Sequence, residues 1–237
     1  MAEAENKEYV CINCASKAKA IYKRSDGNFI KLLDCLKCGQ PVDRYVECEK
    51  SIIFMDMVLQ DISAYRHILF NADNFTPQFY LKLAISLVLS EAYIRWTYFA
   101  EIQSIKTGIK NNEAYLYMMC LVAAVELGLF GLIIYMYSFI ALWCSQGLLI
   151  YNACLLGQCG RLANIPAMIW YETSSLIFQL LKLAFVIVSS IQSIRVALHI
   201  GILESVILIA IASVASYSST LILQPLLIEA YQSYYEV

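Results

Sequence analysis

The balance of charged and apolar positions changes at about residue 77. Residues 1–77 carry ten Lys/Arg and eleven Asp/Glu, whereas residues 78–237 carry seven and eight over twice the length. Beyond residue 78, apolar runs of about 20 residues follow one another, the length that a helix needs to cross a hydrocarbon core of ~30 Å. The pattern predicts a mostly α-helical, polytopic membrane protein with a small polar head at its N-terminus.

The body, residues 78–237, is predicted to be a bundle of four to six transmembrane helices. Its continuous apolar runs cover residues 78–99, 115–137, 176–199 and 202–223, and Pro225 is expected to end the last of them. A further region, residues 139–170, is interrupted by Gly157, Gly160 and Pro166, which favour a broken helix. This region counts either as one long broken span or as two short re-entrant pieces, so the number of spans stays open.

The head opens with a cysteine-bounded module, residues 1–48. Alternating polar and apolar residues in 17–23, turn residues in 25–28 and an apolar return in 29–33 predict a β-hairpin. Two CxxC pairs, separated by 20 residues, flank this hairpin and supply Cys11, Cys14, Cys35 and Cys38. The spacing predicts a β zinc ribbon in which all four thiolates bind one zinc ion. Four unligated or disulfide-bonded cysteines are the alternative, which the paired spacing disfavours.

The predicted zinc has a structural role. A site with four cysteine ligands has no open coordination position, so the ion stabilises the head and does no chemistry. About 40 residues bury too little apolar surface to fold without such support. The thiols must stay reduced to hold zinc, so the zinc domain is predicted to face the cytosol. Gly39, directly after Cys38, is expected to allow the tight backbone of the second CxxC turn.

Residues 49–77 are predicted to form an amphipathic interfacial helix and a linker. The helix is expected to begin at Ser51 and to end at Asn71, with apolar residues at helical spacing: Ile52, Met55, Leu59, Ile62 and Leu69. It is expected to pack either on the membrane surface or on the ribbon. Tyr65, Arg66 and His67 near its end have two interpretations. They recognise a lipid headgroup or a partner, or they anchor the helix at the water boundary.

Charged residues at membrane depth are costly, so each is a candidate functional residue. They include Glu91, Arg95, Glu126, Arg161, Lys182, Arg195 and Glu204, whereas Lys82, near the end of a span, is expected to extend its ammonium to the membrane interface. Glu91 and Arg95 are four apart on one helix and are expected to pair. Two interpretations stay open for the whole set. The charges form ion pairs that hold the helices in register, or Arg95, Arg161 and Arg195 line a polar cavity for a lipid phosphate.

Composition and motifs disfavour two classes of function. The net charge is −2 over the whole chain, whereas a nucleic-acid-binding ribbon normally needs a basic face, so no nucleic-acid partner is expected. The sequence contains no GxSxG, HExxH, P-loop or GxGxxG motif, and it has two histidines, His67 and His199. We therefore expect no enzymatic activity, and an intramembrane lipid enzyme is the weakest of the hypotheses.

Several segments together resemble the ARV homology domain and the membrane body of the ARV family. In the head these are the two CxxC pairs, then PVDRYVE at residues 41–47 and AYRHILFN at residues 64–71. In the body the likeness continues through EAYIRW, IPAMIW and QSIRV at residues 91–96, 165–170 and 192–196. The resemblance therefore runs from about Cys11 to Val196.

The resemblance implies an endoplasmic reticulum membrane protein of sterol and sphingolipid homeostasis that is also tied to an early step of GPI-anchor synthesis. It implies the four cysteines as zinc ligands and Tyr65, Arg66, His67 and Asn71 as functional positions. The resulting hypothesis is a non-enzymatic protein that mediates intracellular sterol transport. Its expected partners are sterol, sphingolipid, GPI precursor and subunits of GPI-biosynthesis enzymes. The candidate lipid- or partner-binding residues in the body are Glu91, Arg95, Glu126, Arg161 and Arg195. The alternative is a scaffold or accessory subunit of a membrane glycosyltransferase complex that binds no lipid specifically.

Overall fold

The chain folds into two compact units, Met1–Pro77 and Gln78–Val237. The structure is a computed structural model, and it describes residues 9–24, 30–73, 75–107, 113–143, 146–170 and 175–235. The predicted hairpin turn at residues 25–28 lies outside the described residues, as do Asn74 and Cys144.

The first half of the head contains two small antiparallel sheets. Strands β1 (Tyr9–Val10) and β2 (Lys17–Ala18) form one of them, and strands β3 (Tyr22–Arg24) and β4 (Ile30–Leu32) form the other. In the second sheet Tyr22 lies opposite Leu32 and Arg24 lies opposite Ile30, which is the register of a hairpin. The predicted small β module is thus confirmed.

The second half of the head is helical, but the prediction of one continuous helix from Ser51 to Asn71 was wrong. A 3₁₀ turn, Arg44–Glu47, precedes helices α1 (Lys50–Val58) and α2 (Ile62–Arg66), and a π turn, His67–Asn71, follows them.

The helix breaks because Gln60 adopts a left-handed conformation, with φ 64°. The N–H of Asp61 donates to the carbonyl of Asp56 and the N–H of Gln60 donates to that of Met57, which is a Schellman ending. The side chain of Asp61 then caps α2 by accepting a hydrogen bond of 2.9 Å from the N–H of Ser63.

The apolar stripe predicted for this segment faces outward on α1. Ile52 and Met55 are 47% and 58% exposed, and Leu59 at the helix end is 72% exposed. Ile53 and Met57, on the opposite side, are buried within the head. These three residues of the stripe therefore do not pack on the ribbon, and their placement on a membrane surface stays a prediction.

The body consists of helices, in agreement with the predicted fold class. In chain order these are α3 (Pro77–Thr107), α4 (Glu113–Leu142), α5 (Gly147–Gly157), a 3₁₀ segment (Gln158–Ala163), α6 (Asn164–Ile169), α7 (Leu176–Leu198) and α8 (Ile202–Tyr235). Within the described part of the chain, three helices are long and apolar enough to cross a membrane, namely α4, α7 and α8. The protein is therefore a membrane protein with a mostly helical fold.

The number of spans, predicted as four to six, is not settled by these three helices. Helix α3 has 31 residues, which is long enough, but Lys82, Glu91 and Arg95 make it less apolar. The region of residues 139–170 is broken as expected, and α5 with 11 residues is only about 16 Å long. The expectation that Pro225 ends the last helix was wrong, because α8 continues through it to Tyr235. Proline removes one backbone hydrogen bond, and membrane helices tolerate that loss.

Helix α5 and the 3₁₀ segment pack closely against α7, which fixes the position of the polar residues described below. A Cβ atom on Gly157 would lie 2.7 Å from the Cα of Ser190, and one on Gly160 would lie 2.5 Å from the ring of Phe185. The hydroxyl of Ser193 donates a hydrogen bond of 2.7 Å to the carbonyl of Ala153. A larger residue would meet the backbone of α7 at Gly157 and the side chains of α7 at Gly160, so both positions favour glycine.

Candidate metal centre and charged cleft

The four cysteines of the two CxxC pairs meet at one point in the head. Their sulfur atoms all lie within 4.8 Å of one another. The Sγ atoms of Cys11 and Cys38 are 3.7 Å apart, and those of Cys14 and Cys35 are 3.6 Å apart. Four sulfurs at a Zn–S distance of ~2.3 Å would stand about 3.8 Å from one another in a tetrahedron. The four sulfurs thus form a site that fits one tetrahedral metal ion, and none of them is paired in a disulfide.

Two similar backbone turns place the four sulfurs. The N–H of Ala15 donates to the carbonyl of Cys11, and the N–H of Gly39 donates to the carbonyl of Cys35, each at 2.9 Å. Both donors follow the second cysteine of their pair and have positive φ, 60° at Ala15 and 68° at Gly39. The predicted role of Gly39 is consistent with this geometry. Ala15 adopts the same left-handed conformation at a higher steric cost, because it has a Cβ atom.

The hydroxyl of Ser16 lies between two of the sulfurs, 3.0 Å from Sγ of Cys14 and 3.1 Å from Sγ of Cys35. This hydroxyl, with the backbone N–H groups of Cys38 and Lys37, lowers the pKa of Cys35 to about 6. It also lowers the pKa of Cys14. Burial raises the pKa of Cys11 to about 12. The environment therefore favours thiolate on one side of the tetrad, which is the form that binds metal.

The fifth cysteine of the head is not part of this site. The Sγ atom of Cys48 contacts the carbonyl oxygen of Arg44 at 3.5 Å, and the described cysteine cluster comprises the other four alone. The ligand set predicted from the spacing is therefore the set that the fold brings together.

A buried carboxylate connects the ribbon to the π turn. Asp43 is fully buried and accepts a hydrogen bond of 2.9 Å from the backbone N–H of Tyr45. Its other oxygen accepts from Nδ1 of His67 at 2.8 Å and from Nδ2 of Asn71 at 2.6 Å. An ionised carboxylate can only accept a hydrogen bond, so Nδ1 of His67 is the donor in its contact with Asp43. The side chains of His67 and Asn71 therefore both form hydrogen bonds within the head.

Asn71 and Arg66 bind the backbone of the first CxxC turn. The amide of Asn71 donates to the carbonyl of Val10 at 2.8 Å and accepts from the N–H of Val10 at 2.9 Å. The guanidinium of Arg66 donates to the carbonyls of Ile12 and Asn13, at 2.7 and 2.8 Å. These contacts join residues that are more than 50 positions apart in the sequence. Arg66 and Asn71 therefore have a structural role, because they hold the backbone of the first CxxC turn in place.

Tyr65 is likewise enclosed by the head. Its side chain is fully buried, and its hydroxyl donates to the backbone carbonyl of Met57 at 3.3 Å. Of the predicted segment Tyr65, Arg66, His67 and Asn71, three residues are buried, and Arg66 is partly exposed. Recognition of a lipid headgroup by these side chains stays a prediction, and each of them already has a partner in the head.

The charged residues of the body form one connected cluster. Arg95 pairs with Glu91 at 3.2 Å on the same helix, as predicted, and also with Glu126 on α4. Arg161 pairs with the other oxygen of Glu126 at 2.7 Å. The two arginines thus share one carboxylate, which joins α3, α4 and the 3₁₀ segment.

Polar side chains extend this cluster to α6, α7 and α8. The amide of Asn164 donates to Glu91 at 3.2 Å and accepts from the ammonium of Lys182 at 3.0 Å. On α8 the hydroxyl of Thr220 donates to Glu126 at 3.0 Å. Gln158 accepts from Nε of Arg161 at 2.8 Å and donates to Ser190 at 3.2 Å.

A cleft of about 480 Å³ lies beside the cluster. Its lining includes five charged residues, Glu91, Arg95, Glu126, Arg161 and Lys182. It also includes apolar residues of α7, among them Leu176, Leu180, Leu183 and Ile187. This volume falls in the range of ~300–1,000 Å³ that is usual for small-molecule sites. The cleft can therefore accommodate a molecule with one charged and one apolar part.

A family model described as the Arv1-like family matches residues 10–194. The chain belongs to the Arv1-like family. It is 33% identical to human "Protein ARV1" over 205 residues, which cover 82% of this chain and 74% of the human protein. It is 35% identical to "Protein arv1 homolog" of Dictyostelium discoideum over 107 residues, which cover 42% and 43% of the two chains. With "Protein ARV1" of Saccharomyces cerevisiae it shares 38% identity over 63 residues, or 27% and 20% of the two chains. No solved structure matches the chain.

The range matched by the Arv1-like family model contains the cysteine site and the charged side chains of the cleft, but not the part of the cleft that α8 contributes. It includes the four cysteines of the head and five charged residues of the cleft, and it ends one residue before Arg195. The structure also separates Arg195 from the arginines with which it was grouped, because Arg195 is not among the residues that line the cleft. The cations that line this cleft are Arg95, Arg161 and Lys182, and binding of a lipid phosphate there stays a prediction.

Several residues of the two sites were missed by the sequence analysis. None of them carries a metal-ligand or catalytic motif, and each has at least one partner 18 or more positions away in the sequence: Asp43, Ser16, Asn164, Gln158 and Thr220. For Asn164 a signal did exist, since it precedes Ile165-Pro166 in a segment already identified as broken. A break in a membrane helix leaves polar groups that neighbouring helices must satisfy, so polar residues beside it are candidates for contacts between helices.

Proposed function

We propose that this member of the Arv1-like family is a non-enzymatic lipid-binding protein of the endoplasmic reticulum membrane that supports sterol and sphingolipid homeostasis. The observation that carries this proposal is the cleft of the body, which combines charged and apolar lining residues inside a set of membrane helices. Such a site suits an amphiphile, whose headgroup and chains need different surroundings. Intracellular sterol transport and assistance to an early step of GPI-anchor synthesis are the finer roles that we propose, on the resemblance described above.

The absence of catalysis is part of the proposal. The two carboxylates of the cleft, Glu91 and Glu126, both form ion pairs with arginine, which disfavours either of them as a general base. His67 is bound to a buried aspartate of the head. Turnover of a lipid by the purified protein would contradict this part.

We further propose that the four cysteines hold one structural zinc ion and that the head faces the cytosol. Zinc suits a set of four thiolates, and it would supply folding energy to a unit with small sheets and a small apolar core. A cytosolic location would keep the thiols reduced. Elemental analysis of the purified protein tests the ion, and thiol labelling in sealed microsomes tests the side of the membrane.

The lipid function is tested by purifying the full-length protein in mild detergent and identifying the lipids that remain bound by mass spectrometry. We expect retained lipid at a defined ratio to protein. Replacement of both cleft arginines, in Arg95→Gln/Arg161→Gln, should abolish retention. Absence of any bound lipid from a wild-type preparation that still corrects the lipid levels of a deficient cell would remove the proposed lipid binding.

The exposed apolar side of α1 favours a second candidate function, a scaffold for subunits of a membrane glycosyltransferase complex. Phe54 and Met55 are each 58% exposed, and nothing in the lipid cleft requires this surface. In the scaffold hypothesis, Phe54→Asp/Met55→Asp abolishes co-purification of such subunits while lipid retention is unchanged. Unchanged co-purification would contradict a scaffold that uses this surface.

A further inference from the structure

Among the described residues that line the cleft, the formal charges do not balance. Three cationic side chains, Arg95, Arg161 and Lys182, face two carboxylates, Glu91 and Glu126, which leaves one formal positive charge. Each carboxylate already accepts from at least one arginine and from one neutral donor. The oxygens of Glu126 accept from Arg95, Arg161 and Thr220, and those of Glu91 accept from Arg95 and Asn164.

Lys182 is the cation of the three whose charge is not neutralised by a direct contact with a described carboxylate. Its ammonium donates to the neutral amide oxygen of Asn164 at 3.0 Å, and no carboxylate of the described residues forms an ion pair with it. An ammonium has three donors, so two remain for another acceptor. In addition, Nη1 of Arg95 is buried without a hydrogen-bond partner. A positive charge with unused donors at membrane depth is costly unless an anion is present.

The position of Lys182 on α7 indicates what kind of anion this is. Leu180 and Leu183, also on α7, are 55% and 52% exposed and line the cleft. The helix that carries the ammonium group therefore also has an exposed apolar surface next to it. A free inorganic anion would use the ammonium alone. A membrane lipid would use the ammonium for its headgroup and the leucines for an acyl chain.

We infer that the cleft binds the headgroup phosphate of a membrane phospholipid with a net negative charge, and that Lys182 is the residue that selects it. The inference rests on the proposed lipid binding and adds the chemical class of the lipid. A sterol offers a neutral hydroxyl, and a zwitterionic phospholipid carries its own cation, so neither neutralises the surplus charge. Guanidinium and ammonium groups are the usual partners of phosphate oxygens.

The test compares two variants of the full-length protein. Lys182→Gln removes the charge but keeps an N–H donor for Asn164, and Lys182→Arg keeps the charge. Lys82→Gln is the matched control, because Lys82 is an exposed lysine of α3 that does not line the cleft. Each protein is reconstituted in nanodiscs of phosphatidylcholine that contain phosphatidylglycerol, and the bound lipid is then counted by native mass spectrometry.

We expect phosphatidylglycerol to be enriched on the wild type, on Lys182→Arg and on Lys82→Gln. On Lys182→Gln the enrichment should fall about tenfold, which is the effect of losing one charge-assisted contact. Thermal unfolding of all four proteins shows whether each is folded. The inference is overturned if folded Lys182→Gln binds phosphatidylglycerol with the same enrichment as the wild type. It is also overturned if Lys82→Gln loses as much of this enrichment as Lys182→Gln does.

Two further arms separate the sources of failure. Inorganic phosphate added to the same samples should not displace the lipid, and full displacement at equal concentration would indicate a free-anion site instead. If the protein retains sterol or phosphatidylcholine but shows no preference for phosphatidylglycerol, the inference fails and the proposed lipid binding stands. If it retains no lipid of any class, the proposed lipid binding fails with it.

Discussion

Nδ1 of His67 lies 2.8 Å from the carboxylate of Asp43, and both side chains are buried in the head. This pair joins the end of the cysteine module to the π turn 24 residues later. Because Asp43 also accepts from Asn71 and from the backbone of Tyr45, one carboxylate satisfies three donors. A buried charge is tolerated under these conditions, where each of its oxygens is hydrogen-bonded.

Removal of this carboxylate should destabilise the head strongly. We expect Asp43→Ala to lower the free energy of unfolding by about 3 kcal/mol or more, since it leaves buried donors without an acceptor. The measurement is resistance of the head to proteolysis over a urea series, in the full-length protein. Asp34→Ala is the control, because Asp34 is exposed. Equal resistance of the two variants would show that the buried network contributes little.

The hydroxyl of Ser16 should tune metal binding. Ser16→Ala removes the contact to two sulfurs and should weaken zinc affinity by about tenfold, as is usual when a residue that supports metal ligands is lost. It should also raise the pKa of Cys35 from its value of about 6, because the hydroxyl stabilises the thiolate. Protons then compete better with the metal, so the loss of affinity should be larger below neutral pH than above it.

This prediction is checked by competition with a chromophoric chelator across a pH series. Ser51→Ala serves as control, since Ser51 is exposed and its hydroxyl contacts Glu49 at 3.5 Å, not a cysteine. An affinity that is the same for Ser16→Ala and Ser51→Ala at every pH would refute a tuning role.

The two left-handed residues of the CxxC turns should respond to substitution in opposite directions. Ala15→Gly removes a Cβ atom at φ 60° and should stabilise the head by about 1 kcal/mol. Gly39→Ala adds a Cβ atom at φ 68° and should destabilise it by a similar amount. No atom lies within 4 Å of the added Cβ at Gly39, so the cost is conformational and not a clash. Urea unfolding measures the stability of both variants. A change of the same sign in the two would contradict the prediction that they respond in opposite directions.

The contact of Gly157 with α7 should be sensitive to a single methyl group. Gly157→Ala places a Cβ atom 2.7 Å from the Cα of Ser190, and we expect a loss of about 1–3 kcal/mol as α5 and α7 separate. Gly128→Ala on α4 meets no atom within 4 Å and should be neutral or stabilising. Unfolding in mixed micelles, followed by circular dichroism, distinguishes them. Equal stability of the two variants would mean that this contact is looser than described.

The carboxylate of Glu126 should be essential for the body, whatever the lipid. Glu126→Gln leaves Arg95 and Arg161 without their shared counter-ion and should cost about 3–5 kcal/mol of stability. Glu113→Gln, at the exposed start of α4, is the control. Mixed-micelle unfolding gives the difference, and a stable Glu126→Gln protein would indicate that the cluster is held together by other contacts.

Local signals in the sequence predicted the parts of the structure that depend on neighbouring residues. The two CxxC pairs, the strands around Lys23 and the long apolar helices follow from spacing and periodicity alone. The pairing of Glu91 with Arg95 follows from their separation by one helical turn. These features needed no knowledge of contacts between distant segments.

The parts that were mispredicted depend on distant contacts or on caps. The break at Gln60 is caused by a Schellman ending and by the cap at Asp61. The Asp-x-Ser pattern of this cap was present in the sequence, but the apolar residues at helical spacing on both sides of it favoured one continuous helix. Which side of α1 is buried was decided by the rest of the head, which covers Ile53 and not Ile52. The inclusion of Lys182 and the exclusion of Arg195 depend on how α7 is rotated, which helical spacing alone does not fix.

The pairing of Val10 with Asn71 has a consequence for the biosynthesis of the protein. The N–H and carbonyl of Val10, one residue before the first cysteine, stay without this partner until residue 71 has been synthesised. Likewise, the carbonyls of Ile12 and Asn13 in the first CxxC turn have no contact with Arg66 until residue 66 has been synthesised. All four cysteines are present once residue 38 has been synthesised, whereas the hydrogen bonds that hold the first CxxC turn are complete only after residue 71 has been added.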